Sequence, residues 1–198
     1  MGMGTKALGF FHECLFMADV STRFHGQEIC ELGDQTLKLE GRNPPKERTL
    51  AKLYFDRLGF NHTSIDIKGK RGSVPLDLSK PITDERYLNR FDILTNFGTS
   101  EHVDNQFECW RNIHNLVKSG GIFIHILPMT LTEGENNKHC DYCYFPKFFA
   151  NLSRSNFYNI CYAEALFDLG GAGYCYRKYH NNEFQSTKEE IDLWVRTK

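Results

Sequence analysis

The chain lacks the long apolar runs of a membrane protein and the excess of cations of a polyanion-binding protein. Its longest apolar runs, such as residues 122–126, fall far short of the roughly 20 residues needed to cross a bilayer. Its 24 Lys and Arg residues are balanced by 25 Asp and Glu residues, for a formal net charge of −1. Because a phosphate backbone attracts a surplus of cations, this balance disfavours a nucleic-acid partner. We therefore expect neither a membrane nor a nucleic acid as partner.

The seven cysteines do not form the pattern of a disulfide framework. Their number is odd, and several lie inside apolar segments, as Cys30, Cys161 and Cys175 do. This distribution is typical of reduced thiols in an intracellular protein. The apolar run at residues 7–11 is also too short for the core of a signal peptide. We predict a cytoplasmic protein.

Short apolar runs alternate with amphipathic stretches along the chain, which is typical of an α/β domain. No repeat and no Pro/Gly/Ser-rich linker divides the 198 residues, so we expect a single domain. Residues 1–27 are predicted as an N-terminal helical extension, 28–180 as the core sheet and 181–198 as a C-terminal helix opened by a capping box of Ser186 and Glu189. Strands are predicted at residues 28–32, 63–67, 73–78, 91–96, 122–127, 159–166 and 174–179. Between them, helices are predicted from Asn43 to Gly59, over 103–117 and over 146–153.

Parallel neighbouring strands need right-handed crossovers, so this order predicts a three-layer, doubly wound sheet. We expect seven strands, mainly parallel, ending in a C-terminal antiparallel hairpin. Ligands of such sheets bind outside the carboxyl ends of the strands, next to the first strand. The candidate site residues therefore follow the predicted strand ends.

Acidic and amide side chains close four of these strands in an order that suits a nucleoside. Glu31 closes the first strand beside Gly33, and Asp66 closes the second, where a carboxylate can accept from both ribose hydroxyls. Asp77 closes the third strand, where it could accept from an adenine amine, and Asn96 closes the fourth. The sequence has no glycine-rich phosphate loop, which disfavours NAD and ATP. A nucleoside with a positive, non-phosphorylated substituent fits these acids better.

With these motifs the sequence resembles the class I S-adenosylmethionine-dependent methyltransferases over roughly residues 28–180. The resemblance rests on an ordered set of segments rather than on one motif: residues 28–33 (EICELG), 64–67 (SIDI), 75–78 (PLDL), 91–96 (FDILTN) with 101–103 (EHV), and 116–125 (LVKSGGIFIH). It implies the Rossmann-like fold of that family and S-adenosylmethionine as the cofactor.

The resemblance also implies which residues hold the cofactor. The first strand would flank its methionine part, the second would hold the ribose diol, the third would bind the adenine and the fourth would face the sulfonium. In that order the implied residues are Glu31, Gly33 and Gln35, then Asp66, then Asp77 and Leu78, then Asn96 and Phe97. Gln35 occupies the place of the second glycine in the family's Gly-x-Gly loop.

Three residues are candidates for catalysis. Methyl transfer from a sulfonium needs alignment of the two partners and, for a hydroxyl or amine acceptor, removal of a proton. Glu101 and His102 follow the fourth strand, and an imidazole with a pKa of about 6.5 suits a general base. His139 lies in the polar loop after the fifth strand, where the family often has a histidine. As an alternative, Glu101 and His102 belong to the first turn of the next helix; His114 and His125 are better explained by packing.

Two metal-site patterns are incomplete. Cys140 and Cys143 have the Cys-x-x-Cys spacing of zinc ligands and His139 lies beside them, but no second ligand pair is nearby. Some family members bind a divalent ion through Glu-x-x-Glu-His and a later His, and here Gly98 occupies the first Glu position. We predict no metal.

The sequence therefore predicts an S-adenosylmethionine-dependent methyltransferase that acts on a small-molecule or sugar acceptor by O- or N-methylation. The alternative is a non-catalytic domain that keeps the fold, has lost cofactor binding and serves as an interaction module. Gln35 and the long loop at residues 34–42 motivate that alternative. An RNA-modifying methyltransferase is disfavoured by the balanced charge.

Overall fold

A computed structural model describes residues 3–20, 24–38, 50–130 and 140–197. Its strands are β1 (Met3–Gly4), β2 (Glu28–Leu32), β3 (Leu37–Lys38), β4 (Asn61–Ile65), β5 (Phe91–Phe97), β6 (Val117–Pro128), β7 (Tyr142–Tyr144), β8 (Asn159–Leu166), β9 (Gly171–Arg177) and β10 (Val195–Thr197). Its α-helices are α1 (Thr5–Met17), α2 (Ala51–Leu58), α3 (Gln106–Leu116), α4 (Pro146–Ser155) and α5 (Lys188–Trp194). The predicted start of the second helix at Asn43 lies outside the described residues.

Six strands form the main sheet in the order β4-β2-β5-β6-β9-β8. Strands β4, β2, β5 and β6 are parallel, whereas β9 pairs antiparallel with both β6 and β8. From β2 the chain moves outward to β4 on one side and later to β5 and β6 on the other. The topology therefore changes direction between β2 and β5, where a doubly wound sheet opens a crevice for ligands. The predicted mainly parallel α/β sheet with a C-terminal antiparallel hairpin is confirmed.

Helices cover both faces of this sheet, which gives the predicted three layers. On one face, α3, α4 and α5 bury side chains such as Trp110, Phe148 and Ile191 against the sheet. On the other face, α1 and α2 bury a second cluster that includes Phe11 and Phe55. Because both faces are covered, β5 is buried along almost its whole length, as its near-continuous apolar run predicts.

The prediction of a third strand at residues 73–78 is wrong. Within the described chain this segment makes a single parallel bridge, between Val74 and Ile65. The N–H of Leu76, which would continue the ladder to β4, instead donates to the carbonyl of Val74 over 3.0 Å, so the segment stops at the edge beside β4. The main sheet consequently has six described strands rather than seven.

Some predicted boundaries are also shifted. Strand β4 ends at Ile65, because Asp66 begins a turn in which its Oδ1 accepts from the N–H of Lys68 over 2.8 Å. The capping box before α5 consists of Thr187 and Glu190, one residue later than predicted. The last residues add strand β10, which pairs antiparallel with β7, so residues 181–198 are not helix alone. No helix among the described residues is long and apolar enough to span a membrane.

Candidate functional site

The carboxyl ends of β2 and β5 are tied together at the crevice. The Thr99 hydroxyl, just after β5, donates to the carbonyl of Leu32 over 2.8 Å. Gly33 follows β2 with a φ of +76°, and its N–H donates to the carbonyl of Ile65 over 2.7 Å. This positive φ favours glycine, because other residues adopt it at a cost. The turn therefore binds the ends of three neighbouring strands into one rigid corner.

Two side chains pack closely against Gly33. A Cβ at this position would lie 2.7 Å from Thr99 Oγ1 and 3.0 Å from Gln35 Nε2. Gln35 Nε2 also donates to Thr99 Oγ1 over 3.4 Å. The place of the family's second glycine is thus taken by a glutamine side chain that folds back over the turn.

Glu31 is a buried carboxyl group with one paired and one unpaired oxygen. Its Oε2 accepts from Nε2 of His62 over 3.0 Å, and both side chains are almost fully buried. Burial raises the pKa of Glu31 above its ordinary value, opposed by the hydrogen bond and charge of His62 and by a backbone hydrogen bond from Gln35. Its Oε1, like Oε1 of Gln35, is buried and has no hydrogen-bond partner among the described residues. In the described part of the chain, two buried acceptors without donors therefore flank Gly33 in sequence.

The two acids predicted to bind the nucleoside, Asp66 and Asp77, differ in how many hydrogen bonds and ion pairs their carboxylates already make within the protein. Half-buried Asp66 spends one oxygen on Lys68. Asp77 accepts from the backbone and hydroxyl of Ser79, at 3.0 and 2.6 Å, which lowers its pKa, and it pairs with Lys80 at 3.1 Å. The side chain of Leu78 packs in the core.

Asn96 and Phe97, at the end of β5, are both buried. Asn96 donates from Nδ2 to Ser100 Oγ over 2.9 Å and accepts from the Ser100 N–H over 3.2 Å. Phe97 packs in the apolar cluster under α1 and α2. Asn96 therefore shapes the loop that carries the next residues, Glu101 and His102.

Glu101 and His102 lie together in a short 3₁₀ helix, Ser100–His102, which is separate from α3. Glu101 is fully buried, neither carboxylate oxygen has a hydrogen-bond partner in the described chain, and burial raises its pKa to about 7. His102, whose side chain is 39% exposed, donates from Nδ1 to Asp141 Oδ2 over 3.1 Å, and its Nε2 is 3.9 Å from Glu101 Oε1. The N–H of Asp141 also donates to the Glu101 carbonyl over 3.2 Å. The structure thus brings these two predicted candidates together and adds a second carboxylate.

Three further histidines were considered from the sequence: one lies outside the described residues, and two are buried. His139 is the former. Burial lowers the pKa of His125 to about 3 and that of His114 to about 4. His125 packs on Trp110, with 5.1 Å between ring centroids, and His114 Nδ1 lies 2.6 Å from the Tyr158 hydroxyl. Both contacts fit the packing roles expected for them. Over the described ranges, no group of three or more His, Cys, Asp or Glu side chains is arranged to hold a metal ion.

Three residues of the site were not predicted from the sequence: His62, Thr99 and Asp141. A signal for His62 was present, because it alternates with Ser64 along β4 and Ser64 lies opposite Glu31 in the parallel register. Thr99 and Asp141 lie in irregular segments, and the Asp141–His102 contact joins residues 39 positions apart. No periodicity could have revealed it.

Solved structures with the same fold include S-adenosylmethionine-dependent methyltransferases and a cyclase. The N1-methyltransferase of 1,6-didemethyltoxoflavin from Burkholderia thailandensis, solved with that compound and S-adenosylhomocysteine, is 15% identical with a TM-score of 0.56, covering 89% of this chain and 87% of that one. The geranyl diphosphate C-methyltransferase of Streptomyces coelicolor, solved with Mg²⁺, geranyl diphosphate and S-adenosylhomocysteine, is 9% identical with a TM-score of 0.54, covering 85% and 80%. The [4+2]-cyclase SpnF is 12% identical with a TM-score of 0.59, covering 85% and 80%.

These likenesses establish the fold. No protein-family model and no curated protein sequence matches the chain significantly. The chain has the class I methyltransferase fold, as its sequence motifs predict. The presence of a cyclase among these neighbours illustrates that this fold supports more than one reaction.

Proposed function

We propose that this chain is an S-adenosylmethionine-dependent methyltransferase with a small-molecule acceptor. The observation that carries the proposal is that Oε1 of Glu31 and Oε1 of Gln35, on either side of Gly33 in the chain, are buried and have no donor among the described residues. A buried acceptor without a donor costs free energy, and its presence in a folded protein calls for a missing partner. The α-ammonium group of the methionine part of S-adenosylmethionine would supply both donors and positive charge at this place.

The other predicted cofactor contacts are compatible with this placement to different degrees. Asp66 is half-buried and directly follows β4. Its Oδ1 accepts from the N–H of Lys68, and we propose that its carboxylate also accepts from the ribose diol. Asp77 remains our prediction for the adenine amine. Leu78 contributes its side chain to the core, so any adenine contact there would come from its backbone.

Bound S-adenosylmethionine supplies an electrophilic methyl group, and the protein has to align the acceptor and remove its proton. We propose His102 as the general base. Asp141 at Nδ1 holds the imidazole in the tautomer that accepts a proton at Nε2. Glu101, with its raised pKa, would hold or release a proton next to that nitrogen near neutral pH. His139 remains a candidate for the same task, and a hydroxyl or amine, including that of a sugar, fits as the acceptor.

A second candidate function is a fold-retaining domain without cofactor binding. The observation in its favour is the close packing of Gln35 and Thr99 over Gly33, where a bound methionine group would need close approach to the backbone. The two functions differ in a single measurable property, which is affinity for the cofactor or its demethylated product.

Isothermal titration with S-adenosylhomocysteine tests the proposal. We expect binding to the wild-type chain and about 30-fold weaker binding to Asp66→Ala, because losing hydrogen bonds to a charged group costs about 2 kcal/mol. Asp168→Ala is the matched control, since this exposed carboxylate lies after β8 at the opposite edge of the sheet. It should leave the affinity unchanged.

Absence of heat with both S-adenosylhomocysteine and S-adenosylmethionine would overturn the proposal and favour the non-catalytic domain. Equal affinities of the wild type and Asp66→Ala would instead refute the ribose assignment alone. A cytoplasmic location is part of the proposal and would be tested separately by cell fractionation.

A further inference from the structure

Two cysteines lie in near-contact beside the pair formed by His102 and Asp141. The Sγ atoms of Cys140 and Cys143 are 3.0 Å apart, and neither cysteine belongs to a disulfide. A disulfide bond is about 2.05 Å long, so the two sulfurs need to approach by only about 1 Å to be linked. The geometry already favours an intramolecular bond.

The backbone between and after the two thiols is anchored, which holds the sulfurs close. The N–H of Asp141 donates to the Glu101 carbonyl over 3.2 Å, and strand β7, which contains Cys143, pairs with β10. The N–H of Thr130 also donates to the carbonyl of Tyr144 over 3.1 Å. The chain bends at Asp141, between the two cysteines.

The two thiols differ in accessibility in the way that thiol–disulfide exchange requires. Cys143 is partly exposed, whereas Cys140 is buried. An incoming disulfide can therefore be attacked by the sulfur of Cys143, and the resulting mixed disulfide can be resolved by Cys140. Cys30 and Cys109 provide a contrast, because both are fully buried and burial raises the pKa of their thiols.

We propose that Cys140 and Cys143 form a reversible intramolecular disulfide by exchange with a low-molecular-weight disulfide such as oxidised glutathione. The Cys143 thiolate bonds to one glutathione sulfur, breaks its S–S bond and releases the other glutathione as a thiol. Cys140 then bonds to the Cys143 sulfur and releases the second glutathione. The protein loses two electrons and two protons, and one glutathione disulfide is reduced to two thiols.

The disulfide would close a small ring around Asp141, the residue that holds His102. Formation of the bond would fix the bend that presents the Asp141 carboxylate to His102 Nδ1 at 3.1 Å. The proposal concerns thiol chemistry alone and stands whether or not the chain binds S-adenosylmethionine.

Alkylation and mass spectrometry of the full chain test the proposal. The protein is equilibrated in a series of reduced and oxidised glutathione, quenched with an alkylating reagent and digested with trypsin. Cleavage after Lys138 and Lys147 releases residues 139–147, which contain both cysteines and no other. As the share of oxidised glutathione rises, we expect the doubly alkylated peptide to be replaced by an unalkylated peptide that is two hydrogens lighter than its dithiol form. Dithiothreitol should reverse this change.

Cys143→Ser removes the accessible thiol and should abolish the disulfide form of the peptide. Cys161→Ser removes another partly exposed thiol, on β8, and should leave formation of the disulfide unchanged. Cys140→Ser provides a second test should the first variant fold poorly. The proposal is overturned if the peptide keeps two alkylatable thiols in an excess of oxidised glutathione. It is equally overturned if each thiol carries its own glutathione, or if the bond links two chains on a non-reducing gel.

Discussion

Glu101 is a buried acid whose ionisation should weaken the fold, and replacing it with Gln should remove this pH dependence. In the unfolded chain its carboxyl group ionises near the ordinary value of 4.5, and in the folded chain its pKa is about 7 because the side chain is buried without a hydrogen-bond partner among the described residues. Between these values the folded chain binds more protons than the unfolded chain. The free energy of unfolding must therefore fall as pH rises through this window.

The size of the effect follows from the same two values. Each tenfold change in proton affinity corresponds to about 1.4 kcal/mol, so complete ionisation of Glu101 costs the fold about 3 kcal/mol. The loss is absent below about pH 4.5 and complete above about pH 7. Glu101→Gln keeps the shape and cannot ionise, and any cost of its unpaired amide is the same at every pH.

Urea unfolding at several pH values between 4 and 8.5 measures the prediction. We expect the variant to gain stability relative to the wild type by about 3 kcal/mol over this range. The pKa of Glu31 is also raised, but this shift is present in both proteins, so its effect on stability cancels when the two are compared. Glu164→Gln, an exposed position on β8, should run parallel to the wild type. Parallel curves for Glu101→Gln and wild type would show that Glu101 is solvated or paired, and the reasoning from its burial would be wrong.

Two further predictions concern the corner at Gly33. Gly33→Ala should lower the free energy of unfolding by roughly 1–3 kcal/mol, which is more than Gly26→Ala should. Gly26 and Gly33 both have a positive φ, but of these two only Gly33 has atoms where the new Cβ would lie. Equal losses in urea denaturation would contradict the close packing by Thr99. His62→Phe should destabilise the chain by about 3 kcal/mol at pH 8 and by less at pH 4, where Glu31 is protonated and needs no partner. A loss that does not depend on pH would show that His62 acts through packing on Phe55 alone.

Much of the fold could be predicted because the spacing of apolar residues and the residues that end a strand or helix indicate the same elements. Strands β2 and β8 have the predicted bounds, and Gly33 ends β2 as expected. By contrast, β6 begins at Val117, before the two glycines that were expected to separate helix from strand. Val117 is held by pairing with Phe91 across a register shift in β5. Such pairing depends on a neighbouring strand, and no local pattern reports it.

By itself, the sequence determined the α/β class, the three layers and the placement of Glu31, Asp66 and Asn96 near the ends of parallel strands. These properties depend on periodicity and on residues adjacent in the chain. The tertiary structure alone decided the contacts that give the site its chemistry. His62 meets Glu31 across 31 positions, and Asp141 meets His102 across 39. Such contacts follow from strand order and loop path, and the burial that comes with them sets the charge of the acids at this edge of the sheet.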